Sequence, residues 1–339
     1  MFRNDYSEAV APEILQALSE ISTEQNVGYG LDEHSKNAEK LILKRFGLKD
    51  GKVFFLSGGT QTNMVVISFI LRDYESVIAC DTGHINVHET GAVEGSGHKI
   101  LTAFNEDGKL LAKDVEKVLA LHRDEHMVKP KMVYISDSTE TGTVYSLSEL
   151  KAIRKVCDKN GLLLFIDGAR LGVALTSNTD VDTKALAKIA DIFYVGGTKN
   201  GLLSGEAVVI KDSKLAEDFR YQIKNRGAML AKGFVLGVQF ERAFADDLYF
   251  RLAKNSNEKA EIIRNGLKEL GVKFEGNSTT NQIFIRLKNA QADILMDKFG
   301  CELWSEFEKE KVIRIVTSFA TTEEDCKKFL EFTKGIIKD

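Results

Sequence analysis

Short apolar runs alternate with amphipathic segments through the first two thirds of the chain. Several of the runs are continuous rather than alternating, which is typical of strands covered on both faces. The intervening segments 60–71, 112–121 and 148–157 carry leucine, valine and isoleucine at helical spacing. This alternation predicts a mostly parallel sheet wrapped by helices. The predicted strands are 53–56, 77–79, 132–135, 162–166, 192–195 and 207–210.

The pattern changes after residue 210. A charged and apolar stretch at 212–255 reads as one long helical segment. A smaller set of alternating elements follows it, which predicts a second α/β unit joined to the first by long helices. We therefore divide the chain into a large domain at 1–240, which includes the N-terminal segment, and a small C-terminal domain at 241–339. The elements predicted for the small domain are a helix at 258–270, a strand at 282–287, a helix at 292–299, a strand at 312–316 and a helix at 323–337.

Composition narrows the class of protein. Of 339 residues, 43% are hydrophobic and 28% charged, and the formal net charge is −4 with no long block of either sign. A nucleic-acid surface is therefore not expected. The N-terminus lacks a secretory signal and no stretch approaches about 18 uncharged apolar residues, so we expect a cytoplasmic protein without a membrane segment. The four cysteines are far apart, which favours reduced, buried thiols over a disulfide or zinc framework.

Polar segments follow the predicted strands, at the edge where a parallel sheet binds its ligands. In the first of them, Gly59 and Thr60 open a helix, so free backbone N–H groups there are able to hold a phosphate. A tight turn with Thr60 as the helix cap is an equally good interpretation. The polar segments are 57–63, 81–84, 136–140, 167–170 and 196–201.

Two of these segments carry candidate chemistry. Asp167 ends a nearly all-apolar strand, and a buried carboxylate needs a cationic or hydrogen-bonding partner, for which Arg170 is the simplest candidate. Lys199 stands among glycines about one strand-helix-strand unit later, which brings it to the same sheet edge. A solvated turn lysine is the alternative. Together, a phosphate cradle, a buried aspartate and a lysine meet the requirements of pyridoxal phosphate, and His84 has the flat imidazole that stacks on its ring.

These motifs resemble those of the threonine aldolase and β-eliminating lyase family of fold-type I pyridoxal phosphate enzymes, in particular its low-specificity L-threonine aldolases. The resemblance extends from Arg3 to about Phe332. Its most specific segments are 167–171, Asp-Gly-Ala-Arg-Leu, and 196–201, Gly-Gly-Thr-Lys-Asn-Gly, the latter followed by Gly-Glu-Ala-Val-Val at 205–209. The resemblance implies a transferase-like large domain, and cleavage of L-threonine or L-allo-threonine to glycine and acetaldehyde.

The resemblance also implies roles for individual residues. Lys199 would carry pyridoxal phosphate as a Schiff base, with Asp167 on the pyridine nitrogen and His84 stacked on the ring. Arg170, beside the cofactor, and Arg314 would orient the amino acid carboxylate, for which a guanidinium fork is suited. The phosphate would be bound by Gly59, Thr60 and Lys232.

The chain departs from the family pattern at three places. The usual Arg-Ser-Asp near the N-terminus is Arg-Asn-Asp here, so the amide of Asn4 would replace a hydroxyl contact to the substrate carboxylate. Glu140 stands where some members have a histidine near the substrate hydroxyl, so either Glu140 or His84 would act as the base. The segment 226–232 corresponds only loosely to a glycine-rich segment of other branches, and Tyr29 is expected to line the pocket.

Other functions remain open on the sequence alone. The same frame suits another pyridoxal phosphate β-eliminating lyase or β-hydroxy amino acid aldolase. His84, His88 and Glu89 have a spacing found in metal sites, but no third ligand from elsewhere is evident, so we expect no metal. A non-catalytic binding protein would be expected to lack one of the cofactor residues. By resemblance, we expect a homodimer or homotetramer with active sites shared between subunits.

Overall fold

In a computed structural model that describes residues 2–338, seven strands form a sheet in the order β1-β7-β6-β5-β4-β2-β3. Within those residues, β7 alone runs antiparallel to its neighbours in this sheet, and the remaining pairs are parallel. The mostly parallel sheet predicted from the sequence is thereby confirmed. The strands are β1 (Lys52–Leu56), β2 (Glu75–Cys80), β3 (Lys99–Ala103), β4 (Lys129–Ser136), β5 (Leu163–Asp167), β6 (Ile192–Gly196) and β7 (Glu206–Ile210).

Helices cover both faces of this sheet, and every residue of β2, β6 and β7 is buried as a result. One apolar core lies on each face, because alternate side chains of a strand point to opposite sides. The helices are α1 (Pro12–Glu20), α2 (Glu33–Phe46), α3 (Gly59–Ile70), α4 (His84–Val87), α5 (Ala92–Gly95), α6 (Ala112–Leu121), α7 (Leu147–Asn160), α8 (Leu171–Thr176), α9 (Thr183–Ile189), α10 (Phe219–Asn225), α11 (Phe234–Ala245), α12 (Leu248–Glu269), α13 (Asn289–Phe299) and α14 (Glu323–Lys338).

Local sequence explains where the covering helices begin and end. At the start of α7, the Ser146 hydroxyl accepts from the Glu149 backbone N–H while the Glu149 carboxylate accepts from the Ser146 N–H, a reciprocal capping box. Gly161 ends this helix with φ 63°, a conformation that glycine adopts without steric cost. The helix is thus fixed at both ends before it packs.

A second, antiparallel sheet of four strands follows, in the order β10-β11-β9-β8. Isoleucines from β9 and β11 pack with α13 and α14 in a third core. Phe2 inserts into this core with its ring 5.2 Å from that of Phe329, and its carbonyl accepts from the Val316 N–H at the end of β11. The first described residue thus packs with the C-terminal unit, although the N-terminal segment is predicted from the sequence to belong to the large domain. The strands are β8 (Lys273–Phe274), β9 (Gln282–Lys288), β10 (Glu302–Glu306) and β11 (Glu310–Val316).

The prediction of one continuous helical segment at 212–255 is wrong. The chain forms α10, α11 and α12 there, and α12 continues through the residues that were predicted as a separate helix at 258–270. Asp218 and Asp247 precede α10 and α12 with φ of 65° and 58°, so the chain turns before each helix. The domain boundary at residue 240 stays a prediction, and it falls inside α11.

Four further observations bear on the expectations from composition. All four cysteines are free and buried. In the described part of the chain, no helix is long and apolar enough to span a membrane. The predicted strands and the helices at 60–71, 112–121 and 148–157 all have counterparts in the structure. Edge strand β3, the two-residue β8 and the polar β10 were not predicted, because none of them contains more than two consecutive apolar residues.

Gly168 allows β5 and β6 to converge just beyond Asp167. A Cβ atom there would lie 1.7 Å from the Tyr194 carbonyl oxygen, and the Gly168 carbonyl accepts from the Gly196 N–H at 2.9 Å. We expect Gly168→Ala to lower the free energy of unfolding by about 3 kcal/mol or more, since neither backbone is able to move away. Urea denaturation measures this change. Gly95→Ala, which places its methyl group in open space, is the control, and equal stability of the two variants would contradict the prediction.

Candidate active site

A cavity of about 300 Å³ opens beside the carboxyl ends of the parallel strands. Its walls come from the large sheet, the small sheet and the N-terminal segment, so residues distant in the sequence meet there. Five of its eight lining residues, His84, Glu140, Arg170, Lys199 and Arg314, were predicted as site residues. The lining residues are Tyr6, His84, His88, Glu140, Arg170, Lys199, Trp304 and Arg314.

Lys199 presents a free amine to this cavity. It follows β6 after a turn in which the Asn200 N–H donates to the Gly197 carbonyl at 2.8 Å. Its ammonium lies 5.9 Å from the centre of the Tyr6 ring, and in residues 2–338 it forms no hydrogen bond or ion pair. Burial and the charge of Arg170 lower the pKa of Lys199 below its ordinary value, against the opposing charge of Asp5. An amine with a lowered pKa is more often unprotonated and therefore a better nucleophile.

Asp167 lies at the end of β5 with a side chain that is almost completely buried. Its Oδ1 accepts from the Tyr194 hydroxyl at 2.5 Å and from the Ala169 N–H at 3.0 Å, and its Oδ2 accepts from the Tyr134 hydroxyl at 2.5 Å and from Asn63 Nδ2 at 3.0 Å. Burial raises the pKa of Asp167, but the charge of His84 and these donors outweigh it and bring the pKa below its ordinary value. Asp167 is therefore an ionised carboxylate, and the suggested pairing with Arg170 does not occur.

A hydrogen-bonded chain joins Asp167 to His84. Asn63 on α3 donates to Asp167 and, at 2.7 Å, to Glu89 Oε1, which in turn lies 2.8 Å from His84 Nδ1. Burial raises the pKa of Glu89, and the charge of Asp167 raises it further, against the contacts with His84 and Asn63. The imidazole that was predicted to stack on the cofactor is thus oriented from behind by a buried carboxyl group.

Glu140 lies beside His84 at the cavity wall. It accepts from the Ser136 hydroxyl at 2.7 Å and from the His84 backbone N–H at 3.0 Å. Burial, followed by the charge of Asp167, raises the pKa of Glu140. A carboxyl group with a raised pKa exchanges a proton more readily near neutral pH, which suits a general acid or base.

The two cavity arginines are paired differently. Arg170 forms a bidentate ion pair with buried Asp5, at 2.7 and 3.0 Å, and Asn281 Nδ2 also donates to Asp5. Arg314 bonds to Glu302 on the neighbouring strand, and its guanidinium lies 5.8 Å from the Trp304 ring. Guanidinium forks bind carboxylates, so both groups are able to take a carboxylate ligand in the cavity.

The predicted phosphate cradle lies at the N-terminus of α3. Gly58, not Thr60, is the N-cap residue, so the interpretation of Thr60 as a helix cap is wrong. Thr60 is exposed in the first turn, with its backbone N–H among those that a helix leaves free. A Cβ atom on Gly59 would lie 3.2 Å from the Tyr194 hydroxyl, which is near Asp167. The helix end and the buried carboxylate are therefore neighbours.

Six predicted residues do not line this cavity: Asp167, Gly59 and Thr60, which are described above, and Asn4, Tyr29 and Lys232. The side-chain oxygen of Asn4 accepts from the Tyr6 N–H and the Ser7 hydroxyl, which shapes the N-terminal turn. Tyr29 lines a separate small cavity, and its N–H donates to the Ala231 carbonyl beside exposed Lys232. The loops that carry Tyr29 and Lys232 thus contact each other, and their roles toward cofactor and substrate stay predictions.

Several residues of the site were not predicted from the sequence. Tyr6 and Trp304 line the cavity, although nothing in the polar stretch around Trp304 indicates a strand there. In the sequence, Tyr134 and Tyr194 lie within apolar runs and resemble ordinary core residues. A buried phenol needs a hydrogen-bonding partner for its hydroxyl group, and this need is the signal in the sequence that indicates a role for both tyrosines. Residues 2–338 contain no group of three or more potential metal ligands, and His84 Nδ1 lies 2.8 Å from Glu89 Oε1.

Comparisons with known proteins agree with this geometry. The model of the beta-eliminating lyase family matches residues 2–290. A low specificity L-threonine aldolase from Pseudomonas sp. (strain NCIMB 10558) is 33% identical over 302 residues, which cover 88% of this chain and 87% of that protein. The structure of a threonine aldolase from Leishmania major superposes with a TM-score of 0.97 at 43% identity and covers 99% of both chains. A structure of SPT with PLP shares the fold alone, with a TM-score of 0.76 at 15% identity over 98% of this chain and 86% of that one.

The fold is that of the fold-type I enzymes of the pyridoxal phosphate-dependent class. More closely, the chain belongs to the β-eliminating lyase family, and it is similar to threonine aldolases over nearly its whole length.

Two buried carboxyl groups near Lys199 have pKa values that their surroundings push apart. Burial raises the pKa of Glu206 to about 8, although the Gly197 N–H donates to it at 3.1 Å, whereas that of Asp167 is lowered. The folded protein therefore holds a proton on Glu206 that the unfolded chain releases near its ordinary pKa of 4.5.

It follows that the contribution of Glu206 to the stability of the wild-type protein falls as pH rises from 4.5 to 8, and that Glu206→Gln removes this pH dependence. We expect the free energy of unfolding of the variant, relative to wild type, to increase across that range. Urea denaturation at several pH values measures it, with the exposed Glu94→Gln as the control. A difference between variant and wild type that stays constant with pH would contradict the assignment.

Proposed function

We propose that the protein is an aldehyde-lyase that cleaves L-threonine or L-allo-threonine to glycine and acetaldehyde, with pyridoxal phosphate bound as a Schiff base to Lys199. The observation that carries the proposal is one cavity that combines a free amine of lowered pKa with His84, Glu140 and two arginines. The names of the relatives support the reaction.

The residues present fit this cofactor. The Lys199 amine is unpaired in the described chain, the ionised Asp167 suits a protonated ring nitrogen, and His84 lines the cavity wall. The free N–H groups at Gly59 and Thr60 suit its phosphate, with Lys232 and Arg170 as further contacts. When bound, pyridoxal phosphate supplies a cationic ring that accepts electrons from the carbon atom at which a bond is broken.

The chain's own groups then select and orient the amino acid. Arg170 and Arg314 bind the carboxylate, with Asn4 and Tyr29 as proposed further contacts. Glu140 or His84 accepts the proton of the β-hydroxyl group as the Cα–Cβ bond breaks and the aldehyde carbonyl forms. Glu140 is suited to this step because its raised pKa lies nearer to neutral pH, and because His84 and Ser136 hold it in place.

A second reaction, β-elimination, is favoured by the description of the matching family. It would yield ammonia and a 2-oxo acid, which is pyruvate from L-serine and 2-oxobutyrate from L-threonine or L-allo-threonine, instead of glycine and an aldehyde. Assays for both pairs of products with L-threonine, L-allo-threonine and L-serine distinguish the two reactions.

Replacement of Lys199 tests the proposal directly. We expect Lys199→Ala to lose aldol cleavage to the background rate and to lose covalent attachment of pyridoxal phosphate after borohydride reduction. Lys211→Ala is the control, since Lys211 is a half-buried lysine that pairs with Asp191 at the opposite end of the sheet. Cofactor that remains attached to Lys199→Ala after reduction would show that another residue forms the bond.

We also propose that the protein is a cytoplasmic homodimer or homotetramer with sites shared between subunits. Its free, buried cysteines are consistent with a reducing compartment. The loop at 27–31 and the segment around Leu230 expose large apolar side chains, Val27, Tyr29, Leu31 and Leu230, next to Lys232. An apolar patch of this kind is suited to cover by a second copy.

Hybrid proteins test the shared site. We expect Lys199→Ala and Lys232→Ala, unfolded together and refolded, to form hybrids in which one site keeps both groups. The activity of the mixture then exceeds that of either variant alone, measured as aldehyde released from L-allo-threonine, with light scattering to determine the subunit number. Activity equal to the mean of the two variants would place Lys199 and Lys232 in the same subunit's site or assign no role to Lys232.

A further inference from the structure

Three neighbouring strands place a carboxyl group between two phenols. Ser136 of β4 pairs with Asp167 of β5, so Tyr134, two residues earlier, lies on the same face of the sheet as Asp167. Phe165 of β5 pairs with Ile192 of β6, which places Tyr194 on that face as well. Strand register alone therefore brings both phenols to Asp167.

Both tyrosines are only 1% exposed, and each hydroxyl bonds to a different oxygen of Asp167 at 2.5 Å. With Asn63 and the Ala169 N–H, four donors occupy the carboxylate. Burial and the charge of Asp167 raise the pKa of both phenols well above the usual value, so they stay protonated and act as donors.

Packing alone does not require these hydroxyl groups. The same strands carry phenylalanine at Phe165 and Phe193, both fully buried, so the core accommodates an aromatic ring without a polar atom. Burying two phenols and a carboxylate costs free energy unless each is satisfied, and here they satisfy one another. The two phenol hydroxyl groups are therefore explained by their hydrogen bonds to the charged Asp167 carboxylate and not by the packing of the core.

Neutral donors on a carboxylate lower its affinity for a proton. When a carboxylate and a ring nitrogen share one proton, the proton is held more by the group of higher proton affinity. Donors on the carboxylate therefore shift the shared proton toward the nitrogen. Removal of a donor has the opposite effect.

We infer that Tyr134 and Tyr194 are positioning residues that fix Asp167 as a carboxylate and thereby hold the shared proton on the ring nitrogen of the bound cofactor. The inference rests on the proposed function, because it assigns Asp167 to that nitrogen. The two phenols touch neither substrate nor reacting atoms in this role. They act through Asp167.

The test uses Tyr134→Phe, Tyr194→Phe and the double variant as holoenzymes loaded with pyridoxal phosphate labelled with ¹⁵N in the ring. The ¹⁵N chemical shift reports directly whether the nitrogen is protonated. A hydrogen bond to a charged group is worth on the order of a tenfold change in an equilibrium constant or more, so the ratio of nitrogen-protonated to carboxyl-protonated form is expected to fall about tenfold for each hydroxyl removed. The signal of the double variant should therefore move clearly toward that of a neutral pyridine.

Tyr145→Phe is the matched control. Tyr145 is equally buried, and its hydroxyl accepts from the Leu110 N–H instead of donating to Asp167. Its removal should leave the ¹⁵N signal at the wild-type position. Should the double variant not fold, the two single variants carry the test, because each keeps the ring that fills the core.

The outcomes separate this inference from the function on which it rests. A wild-type protein that binds no pyridoxal phosphate, or that binds it away from Lys199, overturns the proposed function. Wild-type protein that carries the cofactor on Lys199, with an unchanged ¹⁵N signal in both tyrosine variants, overturns only the role of the phenols. A shift in Tyr145→Phe as large as in the other variants would overturn it too, because loss of any buried hydroxyl would then suffice.

Discussion

An ionised carboxylate held inside a parallel sheet is the constraint on which the site depends. Asp167 has almost no contact with solvent, so its charge is tolerated only because Tyr134, Tyr194, Asn63 and the Ala169 N–H replace the water it has lost. Those donors come from β4 and β6, the two strands that flank β5, from helix α3 and from the turn after β5. The sheet order and strand register are therefore part of the chemistry, since a shift of one residue in either strand would turn a phenol to the other face.

This fixed charge also sets the protonation of the neighbouring carboxyl groups. After burial, the charge of Asp167 contributes to the raised pKa values of Glu89 and Glu140. Burial raises the pKa of Glu206 to about 8, and Asp167 adds to that effect as well. One acid that is always ionised therefore lies among three that hold protons more tightly, and the difference arises from their surroundings rather than from residue type. A site that keeps one carboxyl group ionised while another exchanges a proton needs this difference between their pKa values.

The sequence predicts the parallel sheet and its edge well, because continuous apolar runs such as 162–166 and the polar residues after them are local signals. It predicts Lys199, Asp167, His84, Glu140 and Arg314 for the same reason or by family resemblance, and the structure brings them to one place, although their roles stay predictions. It does not predict the partner of Asp167, because Arg170 is near in sequence while the actual donors come from other strands. Trp304 and the breaks before α10 and α12 depend on tertiary packing and on single residues with positive φ, which periodicity does not indicate.

The two arginines show how the small sheet and the N-terminal segment complete the cavity. Arg170 is bound on two nitrogens by Asp5, which is 1% exposed and is also bonded to Asn281 at the small sheet. Arg314 is bound by Glu302, whose side chain is 37% exposed. Removing one partner from a buried, bidentate ion pair costs much more free energy than separating a pair whose carboxylate is half-exposed. In the half-exposed pair, water solvates the carboxylate that is released. Under the proposed function, an incoming substrate carboxylate would therefore displace Glu302 from Arg314 and join Arg170 without displacing Asp5. Arg170 would then be the fixed contact of the substrate and Arg314 the exchangeable one.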